Sequence, residues 1–188
     1  TATAEHEKSL VGEFLAQMDG LEEKGLDRKY LVLVATNRPW SLDLPLRDRF
    51  DSLVFIPHPD EDARQQQVEL HLRGRPIDES VDLMAIAQKT KGLSSRQIEK
   101  LCNKACDIPL RRRIESLRKG GREGAGKRPP VTMPDFDEAI THVRNVLPSW
   151  YREALRELER MSDEEREAFE DLELVGQEYL KDWASTKI

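Results

Sequence analysis

The sequence predicts an α/β segment followed by an all-α bundle and a long C-terminal helical tail. Two short apolar runs, residues 30–34 (YLVLV) and 52–56 (SLVFI), are too short for helices and suit buried parallel strands. From residue 59 onward, apolar residues recur at helical spacing instead. We therefore expect about two parallel strands with accompanying helices, and then helices alone.

The predicted elements divide the 188 residues into three parts. Residues 1–58 contain an amphipathic helix over residues 5–20 and both strands, residues 59–147 the bundle, and residues 148–188 the tail. Within the bundle, residues 119–131 are rich in Gly and Pro, which predicts a flexible loop. The helices expected in the bundle are residues 64–72, 80–90 and 94–117, and a fourth from Thr132 or Asp135 to residue 146.

The tail carries an apolar stripe at helical spacing, interrupted near Ser162, which forms a capping-box pair with Glu165. Such a stripe favours packing within the chain. The alternative is that it docks a neighbouring subunit or a substrate protein. The residues of the stripe are Trp150, Leu155, Leu158, Phe169, Leu172, Val175, Tyr179 and Trp183.

Composition argues against several classes of function. The net charge of −6 gives no overall basic surface for coating nucleic acid. No apolar run is long enough to cross a bilayer and no signal peptide is recognisable, so we expect a cytoplasmic protein. Cys102 and Cys106 lie four residues apart with no other cysteine in the sequence, which favours two small buried thiols over a metal site.

The first predicted strand ends in a polar tip, Thr36-Asn37-Arg38, before Pro39. Ligands of open α/β sheets bind beyond the carboxyl ends of the strands, so Asn37 is a candidate ligand-binding residue. The residues alone equally allow an asparagine that caps the local backbone. A short segment then begins at Asp43, a plausible N-cap, and carries Arg47 and Arg49 just before Phe50.

Four stretches, in this order, resemble a AAA ATPase of the branch that contains katanin, spastin and the vacuolar-sorting ATPases. The resemblance extends from about residue 8 to about residue 185 and implies part of a P-loop NTPase sheet followed by a helical lid. The stretches are EFLAQMDGL (13–21), LVATNRPWSLDLPLRDRF (33–50), IPHPDEDAR (56–64) and GLSSRQIEKLCNKACDIPLRR (92–112).

The resemblance implies a role for each of five residues. Asn37 would be the sensor that orients the attacking water, and Arg49 the arginine finger that reaches the nucleotide of a neighbouring subunit, with Arg47 as the second candidate. His71 would lie near the adenine and ribose of bound nucleotide. Arg96 departs from the usual family pattern and would act as a second sensor for the γ-phosphate. Taken alone, a single arginine or histidine on a helix is an ordinary surface residue.

Asp48, between the two arginines, also departs from the pattern of this branch. It could draw one arginine into a local ion pair and leave a single working finger.

Two motifs that a nucleotide site of this class requires do not occur in the sequence. One is a GxxxxGK[ST] loop, and the other is an apolar strand that ends in acidic residues. Residues 121–127 (GREGAGK) have the first spacing, but Arg128 replaces the hydroxyl residue and two prolines follow, so a linker is favoured. The acids at residues 60–62 suit a helix N-terminus instead. We therefore expect a fragment or a natural truncated form, with ATP and Mg²⁺ bound in the complete protein and neither bound by this chain.

The function expected from the resemblance is ATP hydrolysis in a homo-oligomeric ring, a hexamer, that remodels or disassembles a protein polymer. The expected partners are neighbouring copies and a protein substrate, with no direct nucleic acid and a membrane reached only through the substrate. The alternative is a catalytically inactive helical module that assembles with partner subunits. A third possibility is an independent enzyme that uses residues 121–127.

Overall fold

The structure is a computed structural model that describes residues 12–18, 20, 31–119 and 128–186. This part of the chain is mostly helical. It divides into two compact units, one formed by Thr1–Phe55 and Arg156–Glu170 and the other by Ile56–Leu155 and Asp171–Ile188.

The helices are α1 (residues 12–18, with residue 20), α2 (Leu44–Arg47), α3 (Glu61–Leu72), α4 (Leu83–Lys89), α5 (Ser95–Arg118), α6 (Met133–Thr141), α7 (Leu147–Leu158), α8 (Asp163–Glu167) and α9 (Glu170–Thr186), and Pro39–Ser41 form a 3-10 turn.

Helices α3 to α6 begin where the sequence supplies side-chain caps for the first backbone N–H groups. The Asp82 carboxylate, for example, accepts from the N–H groups of Met84 and Ala85, so α4 begins at Leu83 rather than at residue 80 as predicted. The capping residues are Asp60 on α3, Asp82 on α4, Ser94 with Gln97 on α5, and Thr132 with Asp135 on α6.

A single apolar core joins α3, α4, α5 and α6, and these four helices form the bundle predicted from the sequence. An isolated parallel bridge between Ile77 and Val131 connects the segment after α3 to the segment before α6. The buried core residues are Val68, Leu72, Ile86, Leu93, Ile98, Leu101, Cys102, Ala105, Ile108, Val131, Phe136 and Ala139.

The two cysteines belong to this core region as expected. Cys102 is fully buried, and its burial raises the pKa of the thiol to about 12, so it is an unreactive core thiol at neutral pH. Cys106 is partly buried and packs against the same core.

The predicted pair of parallel strands is not formed by the described residues. Residues 31–36 and 52–56 have no strand assignment, and Leu31, Leu33 and Ile56 are 88%, 87% and 83% exposed. A strand satisfies its backbone groups only through a neighbouring strand, and two strands are too few for a stable sheet. The apolar pattern therefore identifies segments suited to a sheet without supplying the rest of that sheet.

The remaining element predictions are mostly confirmed. Helix α5 runs unbroken through Pro109, and α6 ends at Thr141, earlier than the predicted residue 146. The break near Ser162 is present, because Ser162 and Glu165 form the capping box that begins α8. The predicted loop falls largely on residues 120–127, which lie outside the described residues.

Candidate functional site

The five residues predicted from the sequence fall in different units. Asn37, Arg47 and Arg49 belong to the first unit, and His71 and Arg96 to the second. Each group is therefore described within its own unit.

Asn37 lies at the end of the extended segment of residues 31–36, directly before the 3-10 turn. Its side chain is exposed. Next to it, the Thr36 hydroxyl accepts from the Arg38 backbone N–H at 3.1 Å, and Trp40 in the turn is buried. An ordered turn thus follows the polar tip that carries Asn37.

Arg47 is the last residue of the short helix α2, and Arg49 lies two residues after it. The helix begins with the extended Asp43 as N-cap and Pro45 in its first turn. The Arg47 side chain is only 15% exposed, and its Nη2 donates to Glu165 Oε1 at 3.0 Å. Arg49 is exposed, and its Nη1 donates to the Pro45 carbonyl oxygen at 3.3 Å. Two arginines that look alike in sequence therefore occupy different surroundings.

In the second unit, His71 lies in the last turn of α3 and is partly buried. Arg96 lies in the first turn of α5 with its side chain 79% exposed, and its closest charged partner is Glu99 at 3.9 Å. The next residue, Gln97, has a structural role. It is the N3 residue of the α5 capping box, and its side-chain amide also donates to the Arg144 carbonyl.

An aromatic cluster in the second unit was not anticipated in this form, because His58 lies at its centre. The His58 ring lies edge-on to the rings of Tyr151 and Tyr179, with centroids 5.8 and 4.8 Å away. Its Nδ1 lies 2.9 Å from the Tyr151 hydroxyl. Burial raises the pKa of Tyr151 to about 12, so the hydroxyl stays protonated, and the imidazole tautomer decides whether it donates to Nδ1 or accepts from it.

Burial also lowers the pKa of His58, and the positive charge of Arg64 lowers it further. The cluster is closed by Tyr179, whose hydroxyl donates to the Gly92 carbonyl at 3.2 Å and accepts from Asn145 Nδ2 at 2.9 Å. The C-terminal helix α9 is therefore attached to the bundle by polar as well as apolar contacts. The tail stripe is buried or partly buried throughout, which confirms the prediction of packing within the chain.

Arg64 is a further residue that sequence reasoning did not single out. It is buried, and its guanidinium donates to the carbonyl oxygens of Ala87 at 2.9 Å and Pro59 at 3.0 Å. Burial lowers its pKa, an effect partly offset by Glu61 and Asp60. The quoted motif IPHPDEDAR contains it. Its place near the start of a helix could have drawn attention to it, but its burial could not be recognised from the sequence.

A groove in the described part of the bundle lies between α5 and α6 and encloses about 380 Å³. Its walls carry charges of both signs, including Lys104, Arg111, Asp107 and Glu138, and none of the five predicted residues. This groove therefore does not coincide with the predicted site residues. Among the residues described, no group of His, Cys, Asp and Glu could hold a metal ion, and no helix is long and apolar enough to cross a membrane.

Comparison with known proteins matches the two parts of the chain separately. Residues 1–58 match the ATPase family associated with various cellular activities (AAA), and residues 80–120 match the AAA+ lid domain. The order of the two matches is the order predicted from the sequence motifs.

Curated relatives are similar over most of this chain. The meiotic spindle formation protein mei-1 of Caenorhabditis elegans is 38% identical over 147 residues, which cover 75% of this chain and 31% of that protein. The katanin p60 ATPase-containing subunit A1 of Strongylocentrotus purpuratus is 37% identical over 121 residues, covering 61% of this chain and 23% of that protein. The chain thus spans less than a third of the length of these relatives.

Solved structures agree with these matches. The structure reported as "Structural Basis for Katanin Self-Assembly" has a TM-score of 0.61 and 38% identity, and covers 72% of this chain and 46% of that one. The FIGL-1 AAA domain has a TM-score of 0.65 and 32% identity, with coverage of 77% and 48%. From its two family matches and these relatives, the chain belongs to the AAA ATPase family, in the katanin- and spastin-like branch.

Proposed function

We propose that this chain is the distal portion of a ring-forming AAA ATPase that couples ATP hydrolysis to the remodelling of a protein assembly. The observation that carries the proposal is the paired match to the AAA family and the AAA+ lid. Asn37 and Arg49, to which the sequence resemblance assigns the sensor and finger roles, are both exposed. Similarity to a structure concerned with katanin self-assembly supports a ring of identical subunits, which we take to be a hexamer in the cytoplasm.

The residues at hand suit part of a nucleotide site. An amide such as Asn37 can hold a water or a phosphate oxygen, and a guanidinium such as Arg49 can bind two phosphate oxygens at once. Magnesium prefers carboxylate or hydroxyl ligands together with water, and none of the five predicted residues offers either. In the complete protein, ATP would supply the phosphoryl group and Mg²⁺ would neutralise its charge, at ligands other than these five.

In this proposal, Asn37 orients the attacking water in its own subunit. Arg49, with Arg47 as the second candidate, stabilises the charge that develops on the nucleotide of the adjacent subunit. His71 and Arg96 act from the lid, His71 beside the base and ribose and Arg96 towards the γ-phosphate. Phosphoryl transfer depends mainly on positioning and electrostatics, so these contacts are the contribution that the chain can make.

The test is to mix inactive subunits of the complete ATPase. Asn37→Ala and Arg49→Ala variants are each expected to lose turnover by a factor on the order of 10³. If Arg49 acts on a neighbour, mixing the two restores sites that have an intact asparagine and an intact neighbouring arginine. With random assembly of a ring, about a quarter of the sites recover. Arg118→Ala, which removes an exposed arginine on α5, is the matched control.

Recovery close to that fraction supports the proposal, whereas a mixture as inactive as its parents contradicts a trans role for Arg49. Full activity of both single variants would contradict the catalytic assignments altogether.

The second candidate is a catalytically inactive helical module that associates with partner subunits and recruits a protein substrate. The self-contained core of α3 to α6 favours it, because this core needs no nucleotide to be complete. It predicts that complete rings carrying Arg49→Ala assemble and bind partners as the wild type does, with no ATP turnover in either.

A further inference from the structure

The two arginines at the C-terminal end of α2 are held by different parts of the protein. Arg49 is exposed and hydrogen-bonds to the carbonyl of Pro45, four residues before it. Arg47 is largely buried and its ion-pair partner, Glu165, lies 118 residues away on α8. Both ends of this contact belong to the same compact unit. The local ion pair expected with Asp48 is thus replaced, for Arg47, by a long-range one.

The Glu165 carboxylate has little freedom to leave Arg47. Its Oε2 accepts from the Ser162 backbone N–H at 3.1 Å and from the Ser162 hydroxyl at 2.9 Å, while Oε1 accepts from Arg47. The hydrogen bonds from Ser162, and then the Arg47 guanidinium, lower the pKa of Glu165, so the pair stays charged at neutral pH. The Glu165 carboxylate therefore both completes the capping box of α8 and holds Arg47 at the end of α2.

The aromatic ring of Phe169 provides a second contact. Phe169 is buried, and the Arg47 guanidinium carbon lies 5.5 Å from the centre of its ring. That distance is within the range of cation–π attraction, which is strongest where water is excluded. Arg47 thus contacts a charge on α8 and an aromatic ring in the turn just before α9.

We infer that the two arginines have separate roles, with Arg47 a positioning residue that fixes the α2 turn to the segment of residues 162–169 and Arg49 the only one of the pair that reaches a neighbouring nucleotide. The inference rests on the proposed function for the role of Arg49, but the anchoring of Arg47 stands on contacts within this chain. For Arg47 to bind a phosphate, it would have to leave Glu165 with its charge unpaired in a partly buried place.

The anchoring is tested on this chain alone by hydrogen exchange of the α8 amides. Arg47→Met keeps the apolar stem over Phe169 and removes the charge, and it should raise exchange in residues 163–170 by about tenfold. Glu165→Gln, which can still accept from Ser162, should do the same, and the double variant should add little. Arg47→Lys should restore part of the protection, and Arg49→Met should leave it unchanged.

The division of roles is tested in the complete ATPase with the same variants. Arg49→Met should reduce ATP turnover by a factor on the order of 10³. Arg47→Met and Glu165→Gln should reduce it only a few-fold, equally, and without further loss in the double variant, because both act through one contact.

Loss of turnover in Arg47→Met as severe as in Arg49→Met, with Glu165→Gln fully active, would overturn the inference. Unchanged α8 exchange in Arg47→Met would overturn the anchoring. Full turnover in Arg49→Met would contradict the proposed function, while the exchange result would still decide the role of Arg47.

Discussion

The helical bundle of residues 61–141 and the extended segments at residues 31–36 and 52–56 differ in how they satisfy their backbone and bury their apolar side chains. The four bundle helices make their own hydrogen bonds, begin at side-chain caps and enclose a core of fully buried residues. The extended segments are as apolar in sequence, yet most of their large side chains are exposed. The difference shows that an apolar run predicts a preference for burial, whereas burial itself depends on neighbouring elements.

This contrast also separates three of the five proposed site residues from the core of the fold. Asn37 follows one of the extended segments, and Arg47 and Arg49 lie between the two, whereas the residues of the apolar core lie in the bundle. Substitutions in the bundle should therefore change stability, and substitutions in the extended segments should change little in this chain by itself.

The largest effect is expected from paired leucine truncations. Leu101→Ala removes a fully buried side chain from the bundle core and should lower the free energy of unfolding by about 3 kcal/mol, through lost burial and a residual cavity. Leu33→Ala, its matched control in an 87% exposed position, should change it by less than about 0.5 kcal/mol. Urea denaturation followed by far-ultraviolet circular dichroism measures both. Equal losses would mean that residues 31–36 are packed in solution.

The next effect concerns the buried guanidinium of Arg64. Arg64→Met fills a similar volume but leaves the carbonyl oxygens of Ala87 and Pro59 without their donors, which should cost about 2–3 kcal/mol. Arg73→Met, at an exposed position just after α3, should be nearly neutral. Thermal unfolding of the two variants gives the comparison, and a neutral Arg64→Met would show that the two carbonyls are satisfied in another way.

Two glycines with the same backbone conformation distinguish strain from packing. Gly92 and Gly74 have φ of +78° and +75°, but a Cβ at Gly92 would lie 2.9 Å from the Tyr179 hydroxyl, whereas Gly74 has nothing within 4 Å. Gly74→Ala should cost about 1 kcal/mol from strain alone, and Gly92→Ala about 2 kcal/mol. Adding Tyr179→Phe should recover part of the difference. Equal losses of stability in Gly74→Ala and Gly92→Ala would show that the Tyr179 side chain on α9 does not limit the space at Gly92.

The smallest effect is a pH dependence due to His58. Because its pKa in the folded chain lies below the ordinary value of 6.5, the unfolded chain binds the extra proton more readily. The contribution of His58 to the free energy of unfolding should be fully present above about pH 6.5. It should be lost as the pH falls from there through the lower pKa of His58 in the folded chain. Protonation also makes both ring nitrogens donors, so Nδ1 then pairs with the Tyr151 hydroxyl only by donating to it.

His58→Phe keeps an aromatic ring between Tyr151 and Tyr179 without a titrating group, so it serves as the control for this pH dependence. As the pH is lowered from about 7 to about 5, the free energy of unfolding should decline in the parent chain and decline less in this variant. Parallel curves would assign the slope to other groups.

Sequence patterns predicted the helices well, because their signals are local. The capping pair of Ser162 and Glu165 and the apolar periodicity of the tail require only neighbouring residues to be recognised. The strands depend on partners distant in the sequence or outside it, and their pattern alone could not supply the pairing.

The same distinction applies to the candidate site. Asn37, Arg47 and Arg49 could be identified from local motifs, and their trans or cis roles remain predictions. The pairing of Arg47 with Glu165, 118 residues away, could not be read from the sequence, because the capping box already accounted for Glu165. The surroundings of His58 could not be predicted either, because a histidine between two prolines gives no indication of the tyrosines that contact it.

Native-state hydrogen exchange across the whole chain tests most directly the claim that the bundle is complete while the extended segments are not. We expect slow exchange, limited by global unfolding, for the core amides of α3, α5 and α6, and near-random-coil exchange for residues 31–36 and 52–56. Comparable protection in the extended segments and in the bundle would contradict it, because those segments would then be paired within this chain.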